Sequence, residues 1–355
     1  VKTPLRSIII TAAVLALGAL GGFAAKALGM PLPFMLGALL STSIMVVLFP
    51  RALPADYKTP VNFRGLFIAL IGLSIGAQVT WQVLGDLVHA IPTFILLTGF
   101  VPLVLWVNYM IFRKIGGYDP PTAYFSSTPG GLVEAMLMGE QAGADERLVA
   151  MQQFLRIIMV VTMVPVGLSI YYGHPVGSAA GMTFSRADAG LEHFPEVIVL
   201  VVIGFAFGKI GHLPAGQFVG PMIVGMIASL SGMVEVEVPG YMINAAQVVI
   251  GALLGTRFNG MNIAMILRGS GLSVMSVGSM LLIGCICSAI AKPLTGEPFD
   301  VLLISFSPGG VTEMALIALS LQANPAFVSV HHIYRIVLTI IVMTWGYRRY
   351  LIGGR

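Results

Sequence analysis

Apolar runs long enough to cross a hydrocarbon core, about 18 residues or more, recur along this chain from end to end. In lipid a backbone must satisfy its own hydrogen bonds, which leaves helices or closed barrels, and runs of this length select helices. Only 10% of the 355 residues are charged, where a soluble domain carries about 25%. That is too little charge to clothe a water-facing surface. The expected fold class is an all-α polytopic membrane protein, and the 42 glycines fit close helix packing in a bilayer.

The net charge of +4 does not point to nucleic acid, because the cations stand one to three at a time between apolar segments, as in membrane loops. Cys285 and Cys287 share one apolar run, which excludes a disulfide framework and reads as packing. Lys2 and Arg6 ahead of an apolar run resemble a secretory signal. A matching run at 196–207 opens the second half, however, and a removable signal has no reason to be repeated internally.

Twelve candidate segments follow from the apolar runs. Six (7–25, 33–49, 61–80, 87–112, 121–141 and 148–172) form a first membrane repeat, residues 1–172. Six more (195–208, 216–233, 241–255, 271–291, 300–322 and 326–347) form a second, residues 194–355, after a polar, glycine-rich linker at 173–193. The halves match directly. A shift of 179 places Gly72 on Gly251, Gly76 on Gly255, Ser126 on Ser305, Glu134 on Glu313 and Arg156 on Arg335. It also places Pro129-Gly130-Gly131 on Pro308-Gly309-Gly310, and Thr128 on the similar Ser307. Glycines alone match by chance in so glycine-rich a chain. A Pro-Gly-Gly, a glutamate and an arginine at one spacing, twice, do not. Two homologous halves are expected, a common device in transporters.

Whether the repeats are parallel or inverted turns on the Pro-Gly-Gly segments. If they cross, each half has six crossings and the repeats are parallel; if they dip and return, each has five and the repeats are inverted. Cations gather on the cytoplasmic side. The inverted arrangement puts fourteen of the 19 Lys and Arg residues inside and three outside, leaving Arg156 and Arg335 within the membrane, whereas the parallel one gives twelve against five. Inverted repeats, each with a broken or re-entrant Pro-Gly-Gly helix and with the N-terminus cytoplasmic, are the expectation.

The chemistry concentrates in Ser126-Ser127-Thr128-Pro129-Gly130-Gly131 with Glu134, and in Ser305-Phe306-Ser307-Pro308-Gly309-Gly310 with Thr312 and Glu313. Proline removes an N–H and clashes with the preceding turn, and two glycines weaken the helix further. A break at membrane depth is tolerated only inside protein or against a watery cavity. Freed carbonyls and hydroxyls there offer oxygen ligands to a small cation, and the helix that restarts offers N–H groups to an anion. An intramembrane carboxylate needs a partner or a task; Arg156 and Arg335, mid-segment in the following helices, are the expected partners. The plainer reading is a packing kink locked by two Glu–Arg pairs. The repeated hydroxyls beside the breaks argue for a substrate or ion site instead, with at least one glutamate binding the coupling proton or sodium ion.

No metal or other cofactor is expected. His331 and His332 are adjacent, so on a helix they point about 100° apart, and no metal-ligand spacing such as H-E-x-x-H occurs. Gln78 and Asn108 read as interhelical hydrogen-bond formers, and the tryptophans near segment ends as interface anchors.

The paired S-x-P-G-G-x-x-E segments, the Gly72–Gly76 helix and the stretch Gly-Met-Pro-Leu-Pro-Phe-Met-Leu-Gly at 29–37 resemble the AbrB duplication family of bacterial membrane proteins over essentially the whole chain. Members carry the labels ammonia monooxygenase and regulator. The name is shared with a soluble DNA-binding regulator that this chain does not resemble. A wider similarity, to the cation/proton antiporter and anion transporter superfamily, implies inverted repeats, crossing broken helices and elevator-like movement of a core against a dimerising panel. It also implies a homodimer in the bacterial cytoplasmic membrane. The chain departs from that pattern by placing Pro-Gly-Gly after the hydroxyls and by lacking paired aspartates, so sodium–proton antiport is not implied. Secondary transport of a small anionic metabolite, not catalysis, is the function expected. A membrane regulator would need an output domain or partner that the short loops do not supply. A membrane monooxygenase would need clustered metal ligands.

Overall fold

A computed structural model describes residues 4–54, 57, 59–81, 85, 90–173, 194–213, 215–232, 238–261, 263–321 and 323–352. Among these, every regular element is helical. Five helices are long and apolar enough to cross a membrane: Arg6–Ala27, Ile91–Ile115, Glu146–Tyr172, Ile263–Thr295 and Pro325–Arg349. Apart from Gly173, the expected linker at 173–193 lies outside the described residues.

The chain falls into two compact units, each drawing on both sequence halves. The first comprises 1–84, 165–263 and 315–326. It contains α1 (Pro4–Ala27), α2 (Pro33–Leu48) and α3 (Val61–Gly76), and also α8 (Phe194–Ile210), α9 (Gly216–Ser231) and α10 (Gly240–Gly255). Proline sets several starts, with Pro33 at the first turn of α2 and Pro60 and Pro239 just before α3 and α10; a fixed φ and a missing N–H are harmless there. α2, α3, α9 and α10 are 16 residues each, about 24 Å of rise.

These helices meet backbone to backbone at glycines. A Cβ on Gly72 or Gly76 of α3 would strike the carbonyls of Phe218 or Met222 in α9. A Cβ on Gly251 or Gly255 of α10 would strike those of Met35 or Leu39 in α2. Likewise Gly21 of α1 abuts Gly37 of α2, and Gly204 of α8 abuts Gly220 of α9. The pairs interchange under a shift of 183 for α1 and α2 and of 179 for α3. The difference between the two shifts sits in the connection after the second helix of each half, which is longer from Leu48 to Val61 than from Ser231 to Gly240.

The second unit comprises 85–164, 264–314 and 327–355. Its helices are α4 (Ile91–Met110, prolonged as a π-turn by Ile111–Ile115), α5 (Pro120–Ser126), α6 (Leu132–Gln141), the first two-thirds of α7 (Glu146–Tyr172), α11 (Ile263–Thr295), α12 (Phe299–Phe306), the start of α13 (Val311–Ser320) and α14 (Pro325–Gly346). Each expected Pro-Gly-Gly segment is thus two short helices. α5 and α6 rise only about 10 and 15 Å, too short to span a bilayer singly.

The first pair folds back on itself. Gly139 of α6 packs on the ring of Phe125 in α5, 3.5 Å from where its Cβ would stand. The Asp145 N–H, beyond α6, donates to Thr122 Oγ1 near the start of α5 at 2.8 Å. The chain therefore leaves this hairpin beside the point where it entered. Gly131, at φ 62°, takes the left-handed backbone conformation from which α6 departs. A core of Leu105, Tyr124, Phe125, Ala135, Val149 and Met343 holds the hairpin, and Tyr124 Oη donates to Met343 O at 2.9 Å.

Candidate functional site

Asp119 caps α5 by accepting from Thr122 N at 3.0 Å, and the helix runs to Ser126 before Pro129 ends it. Ending a helix strands its last carbonyls, and here buried side chains collect them. Gln153 Nε2 on α7 donates to Phe125 O and to Thr128 Oγ1, both at 2.8 Å. One turn on, Arg156 Nη1 donates to Thr128 O. The second segment repeats the scheme. His332 Nε2 on α14 bonds Ile304 O at 3.0 Å, Arg335 Nη1 bonds Ser307 O, and Arg335 Nη2 bonds Gly309 O at 2.5 Å. Because a carbonyl only accepts, the His332 Nε2 carries the proton. A shift of 179 along the sequence carries Gln153 onto His332, Phe125 onto Ile304, Arg156 onto Arg335 and Thr128 onto Ser307, donors and acceptors alike.

The expected partnership of Arg156 with Glu134 is not the one found. Arg156 is 5% exposed and goes to the Thr128 carbonyl, as fully buried Arg335 goes to that of Ser307, which the Gly309 N–H also reaches. Glu134 is only half-buried and curls back toward Gly131, its Oε2 3.5 Å from the Cβ position there. It lies in the first turn of α6, as Glu313, 5% exposed, lies in that of α13 beside Gly310. Free N–H groups and the helix dipole favour carboxylates at both places, while the stranded carbonyls compete for the guanidinium groups.

α14 joins the two segments. Arg335 serves the second, while Thr339 Oγ1 lies 3.5 Å, and Ile336 Cγ1 3.8 Å, from the Cβ position of Gly130 in the first. Arg335 and Thr339 are one turn apart on one helical face, about 6 Å along the axis. The turns at 127–131 and 307–310 thus share one neighbourhood in this unit.

Of the other expected residues, Ser127 Oγ donates to Tyr124 O at 2.7 Å, Ser305 Oγ to Val301 O at 2.8 Å and Ser307 Oγ to Leu303 O at 2.7 Å. Thr312 is buried. The Ser126 hydroxyl is buried without a partner, as are Thr339 Oγ1, Gln153 Oε1, His332 Nδ1 and Nε of both Arg156 and Arg335. Gln153, His332 and Thr339 escaped the sequence reading. Gln152 and His331, one residue earlier, serve packing. Gln152 bonds Tyr118 Oη at 2.9 Å and accepts from Ser273. His331 stacks on Phe94 with centroids 4.3 Å apart and bonds Thr93 Oγ1 at 2.5 Å. The same shift that aligns the arginines also aligns Gln153 with His332, and was the signal available. Among the described residues no group of three or more His, Cys, Asp and Glu side chains is gathered as a metal site would need.

Known proteins are similar to this chain in sequence. "Uncharacterized protein YhjN" of Bacillus subtilis (strain 168) is 25% identical over 359 residues, covering 94% of this chain and 91% of the relative. "Putative regulator AbrB" of Escherichia coli (strain K12) is 25% identical over 320 residues, covering 82% of this chain and 88% of the relative. The AbrB family pattern, described as "Transition state regulatory protein AbrB", matches residues 34–350. That span takes in both Pro-Gly-Gly turns and every side chain that bonds them, and the chain belongs to the AbrB family.

Proposed function

We propose that this chain is a secondary active transporter of a small anionic solute, coupled to protons or sodium, and that the solute sits at the two Pro-Gly-Gly turns. The observation that carries the reading is the set of six partnerless buried polar atoms around them, on Ser126, Gln153, Arg156, His332, Arg335 and Thr339. Buried polar atoms are nearly always paired, and leaving one bare costs about 1–3 kcal/mol. A concentration of them beside interrupted membrane helices has the character of a polar solute's binding place.

The recurrence of contacts at fixed shifts supports two duplicated repeats, and a segment that returns to its entry point supports five crossings per half, hence inverted repeats. In that arrangement the N-terminus and the end of α6 are cytoplasmic, in a bacterial inner membrane, while the end of α13 is external. Cysteines at Gln141 and Ala323 then label with impermeant maleimide from opposite sides, the first from the cytoplasm; labelling from one side would remove the inverted arrangement. The glycine-seamed first unit has the character of a fixed, dimerising panel and the second that of an elevator-like mobile core. The regulator reading rests on the description of the family pattern and the name of the Escherichia coli relative, and leaves the buried polar atoms without a purpose.

The direct test is uptake of labelled organic anions by reconstituted vesicles under imposed proton or sodium gradients. Glu134→Gln and Glu313→Gln should each lower gradient-driven accumulation at least about tenfold, since an intramembrane carboxylate is retained for ion or proton binding. Two folded variants that accumulate solute as the parent does would remove the coupling role of the glutamates. A parent that moves no anion under either gradient would remove transport itself.

A further inference from the structure

Resting on that reading, we propose that the solute is a small dicarboxylate, with one anionic end for Arg156 and the other for Arg335. The two arginines are 5% and 0% exposed, occupy matching positions in the two halves and make the same bond to their respective turns. A carbonyl dipole orients a guanidinium but leaves its charge in place, and an uncompensated buried charge is unfavourable. The chain's own nearby carboxylates are drawn elsewhere, Glu134 toward Gly131 and Glu313 toward Gly310 at the starts of α6 and α13. Two guanidinium groups bonded to turns that one helix, α14, touches together therefore call for negative charge delivered at two points. A monocarboxylate answers one of them. Related by the repeat, the pair presents like to like, which suits a solute whose two ends are alike. Hydroxyl donors stand ready for the carboxylate oxygens: Ser126 Oγ at the first turn, and Thr339 Oγ1 one helical turn from Arg335, both buried and unbonded.

The test uses the purified full-length chain in detergent, with malonate, succinate and glutarate as probes and butyrate as the single-ended control. Thermal unfolding midpoints are read against probe concentration. At least one dicarboxylate should raise the midpoint saturably by several degrees, and butyrate should bind at least about tenfold more weakly. Arg156→Gln and Arg335→Gln should each weaken dicarboxylate binding tenfold or more while narrowing the gap to butyrate. Ser126→Ala spares both arginines and every bond they make, and should weaken binding about three- to tenfold even if the arginine variants do not fold. Equal binding of butyrate, or no binding of any of the three dicarboxylates, overturns the proposal. Saturable dicarboxylate binding without uptake in vesicles would sink the transport reading and leave this one standing. Gradient-driven uptake of a neutral or single-ended solute in preference to all three would do the reverse.

Discussion

Arg335→Met should lose solute binding and about 2 kcal/mol of stability together, because a buried carbonyl left bare costs about 1–3 kcal/mol. Methionine nearly fills the same volume, so packing changes little, but Gly309 O loses its buried charged donor, while Ser307 O keeps the Gly309 N–H at 2.9 Å. The loss is partly offset because a buried charge has also been removed. Arg335→Lys separates the two effects. It restores the charge, yet an ammonium on a flexible stem lacks the planar fork that reaches two carbonyls at once, so stability should recover only in part. Midpoints of thermal unfolding in detergent, with dicarboxylate binding measured on the same samples, check both variants. If Arg335→Met is as stable as the parent, the turn at 307–310 does not depend on this side chain.

Gly255→Val should be more damaging still. A Cβ at this position lies 2.7 Å from Leu39 O and 2.9 Å from Ser43 N, with the Thr42 side chain closer. These are backbone atoms of a packed helix and cannot turn aside, so α2 and α10 must separate along their seam. Overpacking a core costs about 1–3 kcal/mol, and prising two backbones apart exceeds that; little folded protein should be recovered at growth temperature. Gly278→Ala is the control. It also sits within an apolar helix, α11, but nothing lies within 4 Å of its Cβ position. There alanine should be neutral or stabilising by about 0.5–1 kcal/mol through better helix propensity. Monodispersity on size exclusion and the unfolding midpoint report both. A Gly255→Val protein that behaves like the parent would mean that the close approach of α2 and α10 is dispensable.

The membrane helices and the two interruptions were legible in the sequence because both follow from local chemistry. An apolar run finds its backbone partners within itself, and Pro129 or Pro308 withholds an N–H wherever it stands. The recurrence between the halves was legible for the same reason, since it compares the chain only with itself. Where the interruptions lead was not. Proline and two glycines permit either a kinked crossing or a return, and the choice is made by Gly139 meeting Phe125 and by Asp145 reaching Thr122, contacts between residues several helical turns removed from one another along the chain.

The glycine spacing of α3 and α10 announced a close approach but not to which helix. The polar partners were misjudged in the same way. Opposite charge along the sequence favoured Glu134 for Arg156, while the stranded Thr128 carbonyl, in better position, took it. Sequence by itself determined that this chain enters a membrane as helices, breaks twice at one pattern and carries buried arginines, because each of these depends on a residue and its immediate neighbours. Only the tertiary structure decided that the first break turns back, that Gln153 and His332 tend the stranded carbonyls, and that α14 touches both turns. A hydrogen bond or a packing contact is chosen by what lies across a gap in space, and the linear order of residues does not carry that distance.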